Sequence, residues 1–151
     1  MDVDPRARQR NLELVLDGWV EAIRRRDLDA EAERLAPDVV WQGVEPYLRC
    51  PDRDAVLANL REALSHLPAV ESIELVAAED RVMFGVRSPD LTDVAGVPLH
   101  GEVYDVFTIA DGRVARIEEF KTRDEAVRAL TAPAAGGMRG GAPRSGGAGL
   151  P

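Results

Sequence analysis

VPLHGEVYDVFTIADGRVARIEEFK, residues 97–121, reads as two long antiparallel strands joined by a tight turn at Asp111-Gly112. Strand side chains alternate between faces. Val103, Asp105, Phe107 and Ile109 therefore share one side, and Glu102, Tyr104, Val106 and Thr108 share the other. One carboxylate thus stands in an otherwise apolar row. Burying an ionised carboxylate without partners is costly, so such a residue has a raised pKa, is tightly hydrogen-bonded, or lines a polar hole in the core. Function is to be sought around Asp105 first.

The 151 residues fit one domain and suffice to bury a core without covalent staples. Cys50 is the single cysteine, which excludes an internal disulfide. His66 and His100 are far apart and no histidine or cysteine cluster has metal-ligand spacing, so neither a metal nor another cofactor is expected. Met1 is followed by charged residues, and no stretch approaches the ~20 apolar residues that span a bilayer. A reduced, cytoplasmic protein without membrane contact is the expectation. The net charge of −8 disfavours nucleic acid, because phosphate binding rests on clustered Lys and Arg. Residues 132–151 hold Arg139 and Arg144 and no acid, so residues 1–131 carry 17 basic against 27 acidic side chains. That charge bears on solubility more than on function.

Asp4-Pro5 suits a helix start, with Asp as N-cap and Pro at the first helical position. Leu12, Val15, Leu16, Trp19, Val20 and Ile23 then recur at helical spacing in a helix ending near Arg26. A shorter helix over residues 29–36 takes Leu28, Ala32 and Leu35 as apolar contacts and stops at Pro37-Asp38. Residues 39–44 (VVWQGV) read as a short strand, and residues 45–51 (EPYLRCP) turn the chain. Asp52 or Asp54 caps a third helix with Val56, Leu60, Ala63, Leu64 and Leu67 apolar, closed by Pro68. Residues 70–78 and 81–88 read as strands, followed by a loop over 89–96 and the long hairpin. Residues 123–130 make a closing helix. From 132 on, seven residues are Gly and three are Pro with no aromatic, so burial cannot offset ordering entropy: residues 1–131 are the folded domain and 132–151 a disordered tail. The order helix, helix, strand, helix, then mostly antiparallel strands specifies an α+β domain in which a curved sheet wraps helices packed on one face.

WVEAIRRRDLDAEAERLAPDVVW, DRDAVLANLREAL, and DVFTIADGRVARIEEF ending in TRDEAVRAL occur in this order over roughly residues 8–130. In that order and spacing the chain resembles the nuclear transport factor two-like superfamily, which includes SnoaL-like polyketide cyclases and ketosteroid isomerase. The resemblance implies a cone whose bent, mostly antiparallel sheet and long helix enclose an internal pocket, and a homodimer through the outer sheet face. The isomerase branch uses a tyrosine on the long helix, an aspartate base on the first strand and a protonated aspartate on the long strand. Carried over, these fall at Trp19, Gly43 and Asp105. An indole cannot replace a phenol as an acid and glycine cannot take a proton, so ketosteroid isomerisation by that mechanism is not expected.

Asp105 is the first catalytic candidate, as a general acid or a base of raised pKa. Its alternative is a structural carboxylate bonded to Trp19 Nε1 or a buried water. Glu45 shares parity with Gly43 and is the second candidate, although Pro46 favours a solvated turn. Glu119 is the third. Val114, Ile117 and Phe120 break strict alternation, which implies a bulge and leaves the inward residue open between a site role and a surface ladder with Lys121 and Arg123. Trp19, Trp41, Tyr47, Phe84, Phe107 and Phe120 are the candidate ligand-binding set, each also able to serve as ordinary core. His100 has the wrong parity for the Asp105 face, His66 suits a helix C-terminus, and Cys50 lacks a partnered histidine.

The expected function is that of a SnoaL-like protein binding a small apolar or polycyclic molecule in the cone, with Asp105 supplying acid-base catalysis for an isomerisation or cyclisation if it is an enzyme. The alternative is a non-catalytic dimeric ligand-binding or accessory domain, for which the outer face of the hairpin, with Tyr104 and Val106, offers an interface. Deleting residues 132–151 is expected to leave the melting temperature nearly unchanged; a loss of many degrees in a thermal melt would show the tail to be ordered.

Overall fold

The structure, a computed structural model, describes residues 5–133. The proposed cap at Asp4 and the tail from residue 134 lie outside the described residues. Helix α1 (Pro5–Val15) runs through a π-helical segment (Leu16–Val20) into α2 (Glu21–Arg24), followed by α3 (Leu28–Arg34) and strand β1 (Leu35–Gln42). Then come β2 (Arg49–Cys50), α4 (Arg53–Leu64), β3 (Ser72–Ala78), β4 (Arg81–Arg87), β5 (Asp93–Val94), β6 (Val97–Pro98), β7 (Glu102–Ala110), β8 (Arg113–Phe120) and α5 (Arg123–Thr131). The main sheet has the order β2-β1-β8-β7-β4-β3, with only β1 and β8 parallel, and β5 and β6 form a separate small hairpin.

Helix ends follow the chemistry of their capping residues. Asp27 Oδ1 accepts from the Ala30 N–H and Asp52 Oδ1 from the Ala55 N–H, at 3.1 and 2.9 Å. Thr122 caps α5: its Oγ1 accepts from the Glu125 N–H and donates to Glu125 Oε1. The π-helical segment is a departure from the regular spacing read in the sequence. Along this stretch Val15, Gly18, Trp19 and Ala22 are buried at helical spacing, while Leu16 stays 37% exposed. Gly18 is needed there, since a Cβ would lie 2.5 Å from Cγ of Arg34. Strand β1 begins four residues earlier than expected and runs through Pro37, where pairing with β8 is irregular and a missing N–H is tolerated. The short hairpins β1–β2 and β5–β6 were not anticipated.

The sheet divides its side chains between two apolar clusters. Its inner face joins Leu35, Val39, Trp41, Val82, Phe107, Ile109, Val114 and Ile117 to Val15 and Trp19 of the long helix and Val56 and Leu60 of α4. The outer face carries Met83, Tyr104 and Val106, and α5 covers them with Ala126 and Leu130. Two arginines fasten that cover. Arg123 forks onto Glu74 at 2.9 and 2.7 Å, and Arg81 Nη1 donates to the carbonyls of Ala129 and Ala132 at 2.6 and 2.8 Å. Tyr104 and Val106, proposed above as a dimer surface, are 1% and 0% exposed because α5 of the same chain already occupies that face.

Leu28, Glu31 and Leu35 fall on one face of the α3 turn, and both leucines pack in the inner cluster. Glu31 is 1% exposed and neither carboxyl oxygen has a hydrogen-bond partner. Burial, and secondarily the charge of Asp27, pushes its pKa up to about 9. The sequence reading had assigned Ala32 to this contact, and the buried acid was missed. Because the folded-state pKa is raised, the folded form holds this proton more tightly than the unfolded chain. Stability is therefore lost as pH rises from about 4.5 toward 9, at about 1.4 kcal/mol per unit. Glu31→Leu is expected to raise stability by roughly 2–4 kcal/mol at pH 8 and by much less at pH 4. Urea unfolding at the two pH values checks this, and an equal effect at both would contradict it.

Candidate functional site

The turn at Asp111-Gly112 has φ of 53° and 74°, the double left-handed geometry of a tight hairpin, and it starts the pairing of β7 with β8. Ile109 pairs with Val114, but Thr108 pairs with Arg116, so Ala115 is an extra residue on β8. Beyond this bulge Ile117 and Glu119 face inward with Phe107 and Asp105. Asp105 stands directly opposite Glu119 on one side and opposite Phe84 of β4 on the other.

A cavity of about 710 Å³ opens beside this row. Its wall includes Glu119, Val103, Trp41, Gly43, Leu48 and Cys50, within the size range of small-molecule sites. Val103 shares the inward face with Asp105 two residues farther along β7, so Asp105 stands one step deeper than the lining. Asp105 Oδ1 is buried without a hydrogen-bond partner, and no bond joins it to Trp19. Burial, and then the nearby charge of Glu119, pushes its pKa well above the usual carboxylate range. Burial alone raises Glu119 to about 7. Burial also raises the Cys50 thiol, with smaller contributions from Glu119 and Asp52, so this cysteine is a neutral wall and not an activated nucleophile. Two acids that favour their neutral forms thus face each other at the inner end of an otherwise largely apolar cavity.

The other candidates separate. Lys121 pairs with Glu45 at 3.8 Å and Arg123 with Glu74, so the ladder considered for Glu119 is not formed, and Glu45 is a half-buried residue outside the cavity lining. Trp41 and Tyr47 line the cavity, the latter 73% exposed at its mouth. Trp19 packs edge-on against Trp41 and Phe107, with ring centroids 5.7 and 5.0 Å away, and Phe84 packs on the same inner cluster. Phe120 is a correction: it lies with Tyr104 in the outer cluster and does not reach the cavity. His66 was read only as a helix end, yet it lines the mouth with Asn59, Glu62 and Asp93, while His100 is exposed elsewhere. These rim residues come from loops and helix ends distant in sequence, and no local pattern marks them. Gly43 donates its N–H to the Leu48 carbonyl at 2.6 Å, and a Cβ there would lie 2.7 Å from Leu48 Cβ. Among the described residues no group of acids, histidines and cysteine could hold a metal ion, and no helix is long and apolar enough to cross a membrane.

The sequence profile of the SnoaL-like domain matches residues 16–117. A comparison with curated protein sequences finds no match. Among solved structures, a candidate polyketide cyclase from Sinorhizobium meliloti is similar at 25% identity and TM-score 0.54, over 70% of this chain and 92% of that one. A SnoaL-like protein of unknown function from Burkholderia thailandensis is similar at 22% identity and TM-score 0.59, over 80% and 98%. A candidate ketosteroid isomerase from Kribbella flavida is similar at 16% identity and TM-score 0.55, over 75% and 78%.

Glu119 loses its stabilising proton as pH climbs from about 4.5 through 7. Glu119→Gln is therefore expected to stabilise the fold at pH 8 by roughly 1–3 kcal/mol, discounted for solvent access from the cavity, with little effect at pH 4. Carboxyl-carbon NMR of the variant is expected to show the Asp105 pKa falling. An unmoved Asp105 titration would mean that the two groups do not sense each other.

Proposed function

The chain belongs to the SnoaL-like domain family, and from that premise we propose that it is a cofactor-independent acid-base enzyme acting on a small apolar or polycyclic molecule. The observation that carries the proposal is the Asp105–Glu119 pair, opposed across β7 and β8 beside the cavity. A general base works best with a pKa near the working pH, and Glu119 at about 7 meets that condition. Asp105, whose neutral form burial and the nearby charge of Glu119 favour, would in that form donate a hydrogen bond to an oxygen on which negative charge develops. Together they suit the removal of a proton beside a carbonyl and its return elsewhere, the elementary step of an isomerisation or cyclisation. The apolar part of the lining, with Trp41, Leu48, Leu99 and Val103, lowers the local polarity and so strengthens both interactions.

The isomerase arrangement is not simply preserved: the base has moved from the first strand, where Gly43 stands, to β8 at Glu119. That displacement also favours a second reading, a ligand-binding domain without turnover. Proton exchange separates the two. The wild-type protein is expected to accelerate deuterium uptake beside the carbonyl of 1-tetralone or anthrone in D2O, followed by NMR, with a rate rising through pH 7 as the pair loses its first proton. Asp105→Asn and Glu119→Gln are each expected to lower the rate 10²–10⁴-fold. Binding without exchange would leave the non-catalytic domain as the answer.

A further inference from the structure

Residues 88–101, between β4 and β7, are tied mainly to themselves. The β5–β6 hairpin within them lies outside the main sheet and turns at Ala95-Gly96, both left-handed with φ of 50° and 85°. Asp93 Oδ2 accepts from the Gly96 N–H at 3.0 Å. The Leu99 and Gly101 N–H groups donate to the carbonyls of Thr92 and Leu91 at 2.9 and 3.0 Å. The two ends meet in a neck, where the Ser88 N–H donates to the Gly101 carbonyl at 3.0 Å. Among the described residues a single hydrogen bond leaves the segment: the Ala69 N–H donates to Asp90 Oδ2 at 3.1 Å.

That one bond joins two lips of the cavity. Leu91, Val94 and Leu99 of the segment line one side. His66, Leu67 and Pro68, at the exit of α4, line the other, and Ala69 follows them in the chain. Val97 and Leu99 are only 8% and 7% exposed, yet neither belongs to the inner or the outer apolar cluster. Displacing the segment therefore leaves both core clusters intact. Buried Ser88 directs Asp90, its Oγ accepting from the Asp90 N–H at 3.0 Å. Gly101, at φ 79°, supplies a pivot that residues with a Cβ rarely adopt.

We propose that residues 89–100 are a lid that swings about Ser88 and Gly101, and that the Asp90 carboxylate latches it shut on the Ala69 N–H. An element braced from within and held from without by one bond moves as a unit, at a cost far below that of global unfolding. Opening breaks the latch and the Gly101–Leu91 bond, and it parts Leu91, Val94 and Leu99 from the α4 side so that the mouth widens. Closing buries an entering molecule beneath those three side chains. The proposal needs the cavity to take a small molecule, and it holds whether or not that molecule is turned over.

Asp90→Ala and Asp90→Asn test this, since asparagine keeps an acceptor oxygen and alanine has none. Binding of 1-tetralone to the full chain is followed by stopped-flow tryptophan fluorescence, Trp41 being part of the lining. The wild-type rate is expected to level off with rising ketone, limited by opening. That plateau is expected to rise roughly three- to tenfold in Asp90→Ala, the value of one hydrogen bond, and much less in Asp90→Asn. In the ligand-free protein the Gly101 amide is expected to exchange with deuterium faster by the same factor in Asp90→Ala, while Val82 and Phe107 keep their rates. A wild-type rate without a plateau, a plateau or Gly101 exchange unmoved in Asp90→Ala, or equal acceleration in both variants overturns the lid. Should Asp90→Ala fail to fold, the wild type decides: Ala69 and Gly101 amides are expected to share one protection factor, and unequal values overturn the proposal. Should 1-tetralone not bind, the small-molecule reading of the cavity falls and Gly101 exchange alone decides the lid.

Discussion

One extra residue on β8 decides what the interior of this protein contains. Ala115 bulges where Thr108 pairs with Arg116, and every inward position beyond it is displaced by one. Without the bulge, Arg116 and Glu118 would face the core, while Ile117 and Glu119 would face out. The apolar demand of the inner cluster on Ile117 therefore fixes the position of the acid two residues later. Packing of the core and presentation of the Asp105–Glu119 pair are a single constraint satisfied at one place.

Among the described residues burial raises the pKa of three acids, and they differ in what surrounds them. Glu31 is enclosed by helix packing, with neither oxygen partnered. Glu119 borders a cavity, and Asp105 lies behind it, directly opposite Glu119 across the two strands. Conflicts between local chemistry and burial concentrate at working sites in natural proteins, and here Glu119 lines a cavity with Asp105 behind it. Glu31 is the same conflict without an opening.

Much of this was legible in the chain. The hairpin, its Asp111-Gly112 turn, the Asp52 cap and the odd carboxylate at 105 follow from two-residue alternation and turn chemistry, which act locally. The choice between Glu118 and Glu119 was not legible, because a bulge disturbs the period from which parity is counted. Leu16 and Trp19 both suit an apolar helical face, but the buried row is narrower, running through Val15, Gly18, Trp19 and Ala22 and leaving Leu16 at its exposed edge. Glu31 was hidden by its identity: a charged residue at an apolar spacing is ordinarily assigned to solvent. Phe120, Tyr104 and Val106 were misplaced because nothing in a strand records that a later helix, α5, folds over its outer face. The cavity mouth is built from three separate segments, and that assembly exists only in three dimensions.

Gly43 limits what the end of the first strand can carry. A Cβ there would lie 2.7 Å from Leu48 Cβ and 2.8 Å from the Leu48 carbonyl oxygen, so no side chain can be added at this position by one substitution unless the 44–48 loop is laid differently first. The two changes are each unfavourable alone and tolerated only together, which is epistasis written in backbone geometry.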